Sequence, residues 1–154
     1  MDLIVARAIH VLAVVVWIGG VGFVTTVVFP SFRARAPQER LAGFVRFEER
    51  FAFQARITVA LAGLSGLYMV AKLDLWARFA SSHFWWMHAM LGLWLAFAAM
   101  LFVLEPLVLR RRLHRAIDGP DGPRLFARME RLHQVLFALA AITILGATAG
   151  AHGL

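Results

Sequence analysis

Four long stretches of the chain carry no Asp, Glu, Lys or Arg, and charged segments separate them. The uncharged stretches are residues 8–32, 57–71, 79–104 and 132–154. A helix needs about 20 mainly apolar residues to cross the hydrocarbon core of a bilayer. The pattern therefore predicts four membrane-spanning helices, at residues 4–29, 51–71, 83–104 and 131–153.

The uncharged part of the second predicted span, residues 57–71, is too short to cross the bilayer, so the span must include residues that precede it. We expect residues 51–56 to complete it, with the Arg56 side chain extending toward the lipid headgroups. Apolar residues recur near helical spacing just before this span, at Leu41, Phe44, Val45, Phe51 and Ala52. This spacing predicts an amphipathic helix at the membrane surface that leads into the span.

Basic residues are concentrated in two of the connections between the spans. The connections 31–56 and 105–131 together hold 13 of the 16 lysines and arginines. Short cytoplasmic loops of membrane proteins carry such an excess. The sequence thus predicts cytoplasmic loops at residues 31–50 and 105–130, with both termini periplasmic in a bacterial inner membrane. The predicted fold is a single-domain, all-α, antiparallel four-helix transmembrane bundle.

Composition narrows the functional classes. The chain has no cysteine, which excludes disulfides, thiolate metal sites, iron–sulfur clusters and c-type haem attachment. Its formal net charge of +7 does not indicate nucleic-acid binding, because the arginines flank apolar spans rather than forming a soluble basic patch. Membrane lipid is the partner that this arrangement predicts.

Two histidines lie within predicted spans at similar depth. His10 is about six residues into the first span and His88 about five residues into the third, or about 8–9 Å along each helix. These spans run parallel, so the two imidazoles can ligate one metal centre, and haem iron accepts axial histidine. Ionisable residues inside a membrane are usually functional. Interhelical hydrogen bonding by the two histidines is the simpler alternative.

The residues beside these histidines favour a large, flat cofactor over a bare ion. Trp17 and Gly20 follow His10 on one helix face, and Gly92 lies one turn below His88. Small residues next to a ligand leave room for a macrocycle. The alternative is that the glycines only allow close helix packing.

Two further histidines are weaker candidates for metal ligation. His152, at the outer end of the fourth span, is a possible substitute ligand or a residue at the lip of the site. His133, at the inner end of that span, suits a second inner site or faces a headgroup. Gly146 and Gly150 form a small-xxx-small pattern that packs either within the bundle or between copies in a homo-oligomer.

Three phrases of the sequence resemble known membrane families. RAIHVLAVVVWIGGVGF (residues 7–23) places His10 before a Trp-then-Gly stretch, FEERF (Phe47–Phe51) precedes the second span, and WWMHAMLGLW (residues 85–94) lies in the third. Together they resemble the HemJ type of membrane protoporphyrinogen oxidase and the membrane domain of copper resistance protein D. The resemblance covers nearly the whole chain in layout, and it implies a b-type haem.

One departure from the oxidase pattern shapes the functional prediction. That pattern has a lysine in the third helix near Met87–Met90, where this chain has none. The resemblance therefore implies haem binding by this chain more directly than it implies protoporphyrinogen oxidation. We predict a membrane protein that binds haem b for electron transfer or redox chemistry, with a quinone, a porphyrin or a redox protein as partner. Whether it is an oxidoreductase enzyme stays open.

Two alternatives to the haem prediction also stay open. One is copper transport of the copper resistance D kind, using His10, His88 and the methionines of the third span, since thioethers suit soft metals. Methionine is also an ordinary filler of gaps in a core. The other alternative is an accessory membrane subunit without a cofactor.

Overall fold

A computed structural model of the protein describes residues 1–117 and 119–151, except for the side chains of residues 38, 108–110 and 151. Among these residues there is no β-strand, and almost all are helical. The α-helices are α1 (Asp2–Phe23), α2 (Phe29–Arg33), α3 (Pro37–Lys72), α4 (Trp85–Ala98), α5 (Arg110–Ile117) and α6 (Gly122–Ala151). The π-helical segments Val24–Val28 and Ala99–Leu109 join α1 to α2 and α4 to α5, and the 3₁₀ turns Trp76–Ala80 and Ser82–Phe84 precede α4.

Four continuous helical stretches are long and apolar enough to cross a membrane. They are Asp2–Arg33, Glu39–Lys72, Ser82–Leu107 and Gly122–Gly150. The shortest has 26 residues, which at about 1.5 Å per residue exceeds a hydrocarbon core about 30 Å thick. The all-α class and the four apolar helices that the sequence predicts are therefore confirmed.

The segment before the second predicted span is part of the same helix as the span. Pro37 occupies the first turn of α3, where its missing N–H costs nothing. Leu41 and Phe44 are fully buried near the start of α3. The helix then continues without interruption to Lys72. Asp74 follows with φ of 50°, in the left-handed region, and this residue turns the chain toward the 3₁₀ turns.

The third long helix continues beyond residue 104, where the predicted third span ends, and does not stop at Glu105-Pro106. It passes through Pro106 in the π-helical segment and continues into α5. In a π-helix the N–H of residue 106 would bond to the carbonyl of Leu101, and proline has no N–H to donate. The Arg56 Nε–H donates to that carbonyl instead, at 3.2 Å. A side chain of α3 thus supplies the donor that the backbone lacks.

A tight turn joins α5 to α6 within residues 105–130, which the sequence predicts to be a loop. The Gly119 N–H donates to the Ala116 carbonyl at 3.2 Å, and the Gly122 N–H donates to the Gly119 carbonyl at 3.3 Å. Asp118, which belongs to the predicted loop, lies outside the described residues. Helix α6 begins at Gly122, about nine residues before the predicted span, and its first turns carry Arg124, Arg128 and Glu130 ahead of the apolar part.

Two buried clusters hold the helices together. The Trp17 cluster contains Ala13, Trp17, Ile18, Val21, Val59, Ala62, Phe97 and Ala140. The Phe29 cluster contains Val24, Val28, Phe29, Leu41, Phe44, Val45, Leu113 and Phe126. Trp17 meets Phe97 edge-on with ring centroids 5.0 Å apart, and Phe29 stacks on Phe44 at 4.5 Å. Helix α1 packs chiefly on α3, and α4 packs chiefly on α6.

Gly146 and Gly150 of α6 pack within the chain. A Cβ atom at Gly146 would overlap the Trp85 ring, and one at Gly150 would overlap the Trp86 ring. Both glycines thus accept indole rings of α4. The structure describes a single chain, and the homo-oligomer stays a prediction.

Candidate functional site

His10 lies on the side of α1 that faces α3. Its Nδ1 is 2.9 Å from the Ala62 carbonyl oxygen and 3.2 Å from Ser65 Oγ. A carbonyl only accepts hydrogen bonds, so the tautomer that suits this contact carries its proton on Nδ1. Nε2 is then a lone-pair acceptor. Gly66 makes room for the ring, because a Cβ there would lie 3.1 Å from His10 Cε1.

The helical spacing of the buried residues in α1 determines which way His10 faces. Ala6, Ala13 and Trp17 are buried at helical spacing on either side of it. The small alanine side chains let α1 approach α3 closely, and His10 fills the half-buried position between them. The imidazole is therefore held inside the α1–α3 contact rather than on the outer surface.

His88 is exposed and contacts the connection that precedes its own helix. Its Nε2 is 3.0 Å from the Phe79 carbonyl oxygen, and its Nδ1 is 3.3 Å from the Phe84 carbonyl oxygen. The Phe79 ring also packs edge-on against the imidazole. Both ring nitrogens thus face carbonyl oxygens. A neutral imidazole donates to one of them, and its other nitrogen points at the second oxygen rather than at a metal.

These contacts decide how each histidine fits the predicted haem. His10 fits one axial ligand, because its Nδ1–H is held by a carbonyl and its Nε2 carries the lone pair. As folded, His88 does not fit the second, since it binds Phe79 and Phe84 of its own segment. The hydrogen bonds of the two histidines join them to different elements. Their sharing of one iron stays a prediction.

The other predicted cofactor contacts have separate surroundings. Trp17 is 6% exposed, and its indole N–H has no hydrogen-bond partner among the described residues. The space beside Gly20 is taken by Phe51, whose ring would lie 2.6 Å from an added Cβ. Gly92 has open space instead, with nothing within 4 Å of an added Cβ, and it lies on the exposed surface near His88. Close helix packing accounts for Gly20.

His133 is held by contacts within the chain. The His133 Nδ1–H donates to the Met129 carbonyl at 2.9 Å, and the ring packs against Phe29 with centroids 5.0 Å apart. His152 lies outside the described residues. Within the described ranges, no group of three or more His, Cys, Asp or Glu residues is arranged to hold a metal ion. Copper ligation by His10, His88 and methionines stays a prediction.

Ion pairs join the ends of the long helices near the arginine-rich connections. The sequence predicts that Glu48, Glu49, Arg50 and Arg56 lie close together at the inner surface. It leaves two roles open for these carboxylates and for Glu105 and Glu130, which are pairing with Arg56 or Arg131 and the relay of protons. Arg56 Nη2 does bond to Glu105 Oε1, at 2.7 Å, whereas Glu130 pairs with Arg33. Arg56 turns to partners within the protein instead of extending to headgroups as the sequence predicts, and its side chain is 34% exposed.

The ion pair of Arg56 borders a polar cavity that sequence reasoning missed. The cavity has a volume of about 90 Å³ and is lined by Val45, Glu48, Glu49, Arg56, Glu105 and Leu113. We call it the Glu48 cavity. One signal was available, because Glu48 and Arg56 are two steps of four residues apart on one face of a helix. The contribution of Glu105 required the long-range packing of the π-helical segment.

Comparison of the chain with protein-family models, with characterised proteins and with solved structures finds no match.

Proposed function

We propose that this chain is a multi-pass protein of a bacterial inner membrane, in which the four apolar helices form an antiparallel bundle. The exterior supports this proposal, since leucines such as Leu64 and Leu145 are about two-thirds exposed on long apolar helices. Lipid tails accept such a surface, whereas water-soluble proteins seldom expose large contiguous apolar patches. The arginine-rich connections lie in the cytoplasm and both termini lie in the periplasm.

We propose further that the protein binds a b-type haem through His10 and serves electron transfer or redox chemistry. The observation that carries this proposal is the 2.9 Å contact from His10 Nδ1 to the Ala62 carbonyl. Histidines that ligate metals typically donate their other ring N–H to such an acceptor, which fixes the tautomer and the ring orientation. When bound, haem supplies one-electron chemistry, tuned by its axial ligand and its surroundings.

Each residue around His10 has a defined task in this proposal. The Ala62 carbonyl holds the proton on Nδ1, and Ser65 Oγ fixes the ring from the same side. The Ser65 hydroxyl itself donates to the Leu61 carbonyl at 2.5 Å, which orients its lone pairs. Gly66 lets the ring approach α3. We propose His10 alone as the ligand, and ligation by His88 stays a prediction of the sequence.

A second candidate function needs no cofactor. The contact between His10 and Ala62 is also an interhelical hydrogen bond, which holds α1 against α3. The filled spaces beside Gly20 and Gly63, occupied by Phe51 and Trp94, favour this accessory or structural role. The two candidates make different predictions for the isolated protein.

The deciding experiment is the absorption spectrum of the full-length protein, purified in detergent from haem-replete cells and then titrated with haem. We expect a Soret band in the wild type, its loss in His10→Ala and its retention in His88→Ala. His83→Ala is the matched control, because His83 is an exposed histidine of a 3₁₀ turn. A wild type that neither carries nor takes up haem refutes haem binding. A band that survives in His10→Ala refutes the ligand.

A further inference from the structure

One oxygen of a deeply buried carboxylate has no donor. Glu105 is 8% exposed, and its Oε1 accepts from Arg56 Nη2 at 2.7 Å. Its Oε2 is buried and has no hydrogen-bond partner among the described residues, and Glu105 is one of the residues that line the Glu48 cavity. A buried polar atom without a partner is costly, and it calls for a donor such as a water or a protonated group.

The missing donor has a cause in the sequence. A guanidinium usually binds a carboxylate with two parallel N–H donors, one for each oxygen. Here Arg56 Nε donates to the Leu101 carbonyl, because Pro106 cannot supply that bond in the π-helical register. Arg56 therefore contacts Glu105 through Nη2. Pro106 thus leaves Glu105 Oε2 without a donor from Arg56.

Among the described residues that line the cavity, three are glutamates and one is an arginine. The groups that face Glu48 electrostatically are Glu49 and Arg56 on its own helix and Glu105 on the π-helical segment. Helix α5 contributes His114, whose Nε2 is 3.2 Å from Glu49 Oε1. Arg56 pairs with Glu105 rather than with Glu48. Carboxylates that share a partly closed site do not all ionise readily, and one of them retains a proton.

We propose that the Glu48 cavity is a proton-binding site, in which Glu48 reversibly holds one proton next to the ion pair of Glu105 with Arg56. The Glu48 carboxylate accepts the proton from hydronium of the arginine-rich side, which forms one O–H bond and leaves water. The cavity has room for water. Water in the cavity can link protonated Glu48 to Glu105 Oε2 through hydrogen bonds.

The surroundings favour a proton over a metal ion. Three or more His, Cys, Asp or Glu ligands in metal-binding arrangement are not found in the described part of the chain. The guanidinium of Arg56 is already bound to Glu105, and its positive charge would repel a second cation there. A proton removes negative charge without adding a positive ion next to Arg56.

The test is infrared difference spectroscopy of the haem-free, full-length protein in lipid vesicles. A protonated carboxyl has a C=O stretching band that a carboxylate lacks. We expect this band in the wild type at neutral pH, its disappearance in alkaline buffer and its loss in Glu48→Gln. Glu48→Gln keeps the side-chain shape and leaves the Arg56–Glu105 pair intact. Because the protein is haem-free, the result does not depend on the proposed haem.

Two further variants complete the design. Glu39→Gln is the matched control, because Glu39 is an exposed glutamate of the same helix, and it should keep the band. Glu105→Gln removes the neighbouring charge, so Glu48 should ionise and the neutral-pH band should weaken. Circular dichroism and gel filtration verify folding of each variant. A wild type without the band, or a band that persists in Glu48→Gln, overturns the proposal.

Discussion

The contact between α3 and α4 depends on a glycine that an indole ring covers. A Cβ atom at Gly63 would overlap the Trp94 ring, and the Trp94 Nε1–H donates to the Val59 carbonyl at 2.8 Å. In Gly63→Ala the ring must move away, which strains the packing and breaks this hydrogen bond. The variant should therefore be markedly less stable than the wild type.

The size of the effect follows from these two losses. Overpacking a close contact costs about 1–3 kcal/mol. An interhelical hydrogen bond in a membrane contributes about 0.6 kcal/mol on average. Alanine also favours the helix by up to about 1 kcal/mol, so we expect Gly63→Ala to lower the free energy of unfolding by about 1–3 kcal/mol in total. Gly19→Ala is the matched control, because nothing lies within 4 Å of a Cβ there. It should be neutral or stabilising, since alanine favours a helix over glycine by up to about 1 kcal/mol.

The assay is unfolding in mixed micelles of mild detergent and dodecyl sulfate, monitored by circular dichroism. The two variants should separate by about 3 kcal/mol, with Gly63→Ala the less stable. Equal stabilities within about 0.5 kcal/mol would refute the packing of Trp94 on Gly63.

Two further predictions concern the residues that join the ends of the helices, and the same unfolding assay measures both. Arg56→Ala leaves the Glu105 carboxylate buried without its cation, and we expect it to lower the free energy of unfolding by about 2–3 kcal/mol. This is less than the usual cost of breaking a buried pair, because Arg56 is one-third exposed. An unchanged stability would contradict the ion pair. Phe29→Ala removes a fully buried ring that stacks on Phe44, and it should lower the free energy of unfolding by about 3 kcal/mol. The control Phe23→Ala, at a half-exposed position, should cost much less. Equal effects of the two variants would contradict the Phe29 cluster.

The helices were predictable because their signal is local. Uncharged length predicts the four long helices, and the spacing of Leu41 and Phe44 predicts that α3 starts well before its span. The end of the third helix was not predictable in the same way. Pro106 normally ends a helix, and its passage depends on Arg56, which lies 50 residues earlier in the chain. No local pattern contains that contact.

The site residues show the same division between local and long-range information. Sequence depth singles out His10 and His88, but depth along a helix does not say which neighbour a side chain faces. His10 contacts α3 because small residues bring the two helices together, whereas His88 bonds to the Phe79 carbonyl of the preceding turn. The Glu48 cavity was missed because its walls come from three separate helical segments.

The orientation of the four helices in the membrane is the claim on which the whole account depends. The chain has no cysteine, so single cysteines at exposed positions report sidedness without background. Ala36→Cys and Asp121→Cys lie in the arginine-rich connections, and Ser82→Cys lies between α3 and α4. With a membrane-impermeant maleimide, we expect labelling of Ser82→Cys in cells with a permeabilised outer membrane, and labelling of the other two only after the inner membrane is broken. Labelling of all three from one side, or the reverse pattern, would contradict the account.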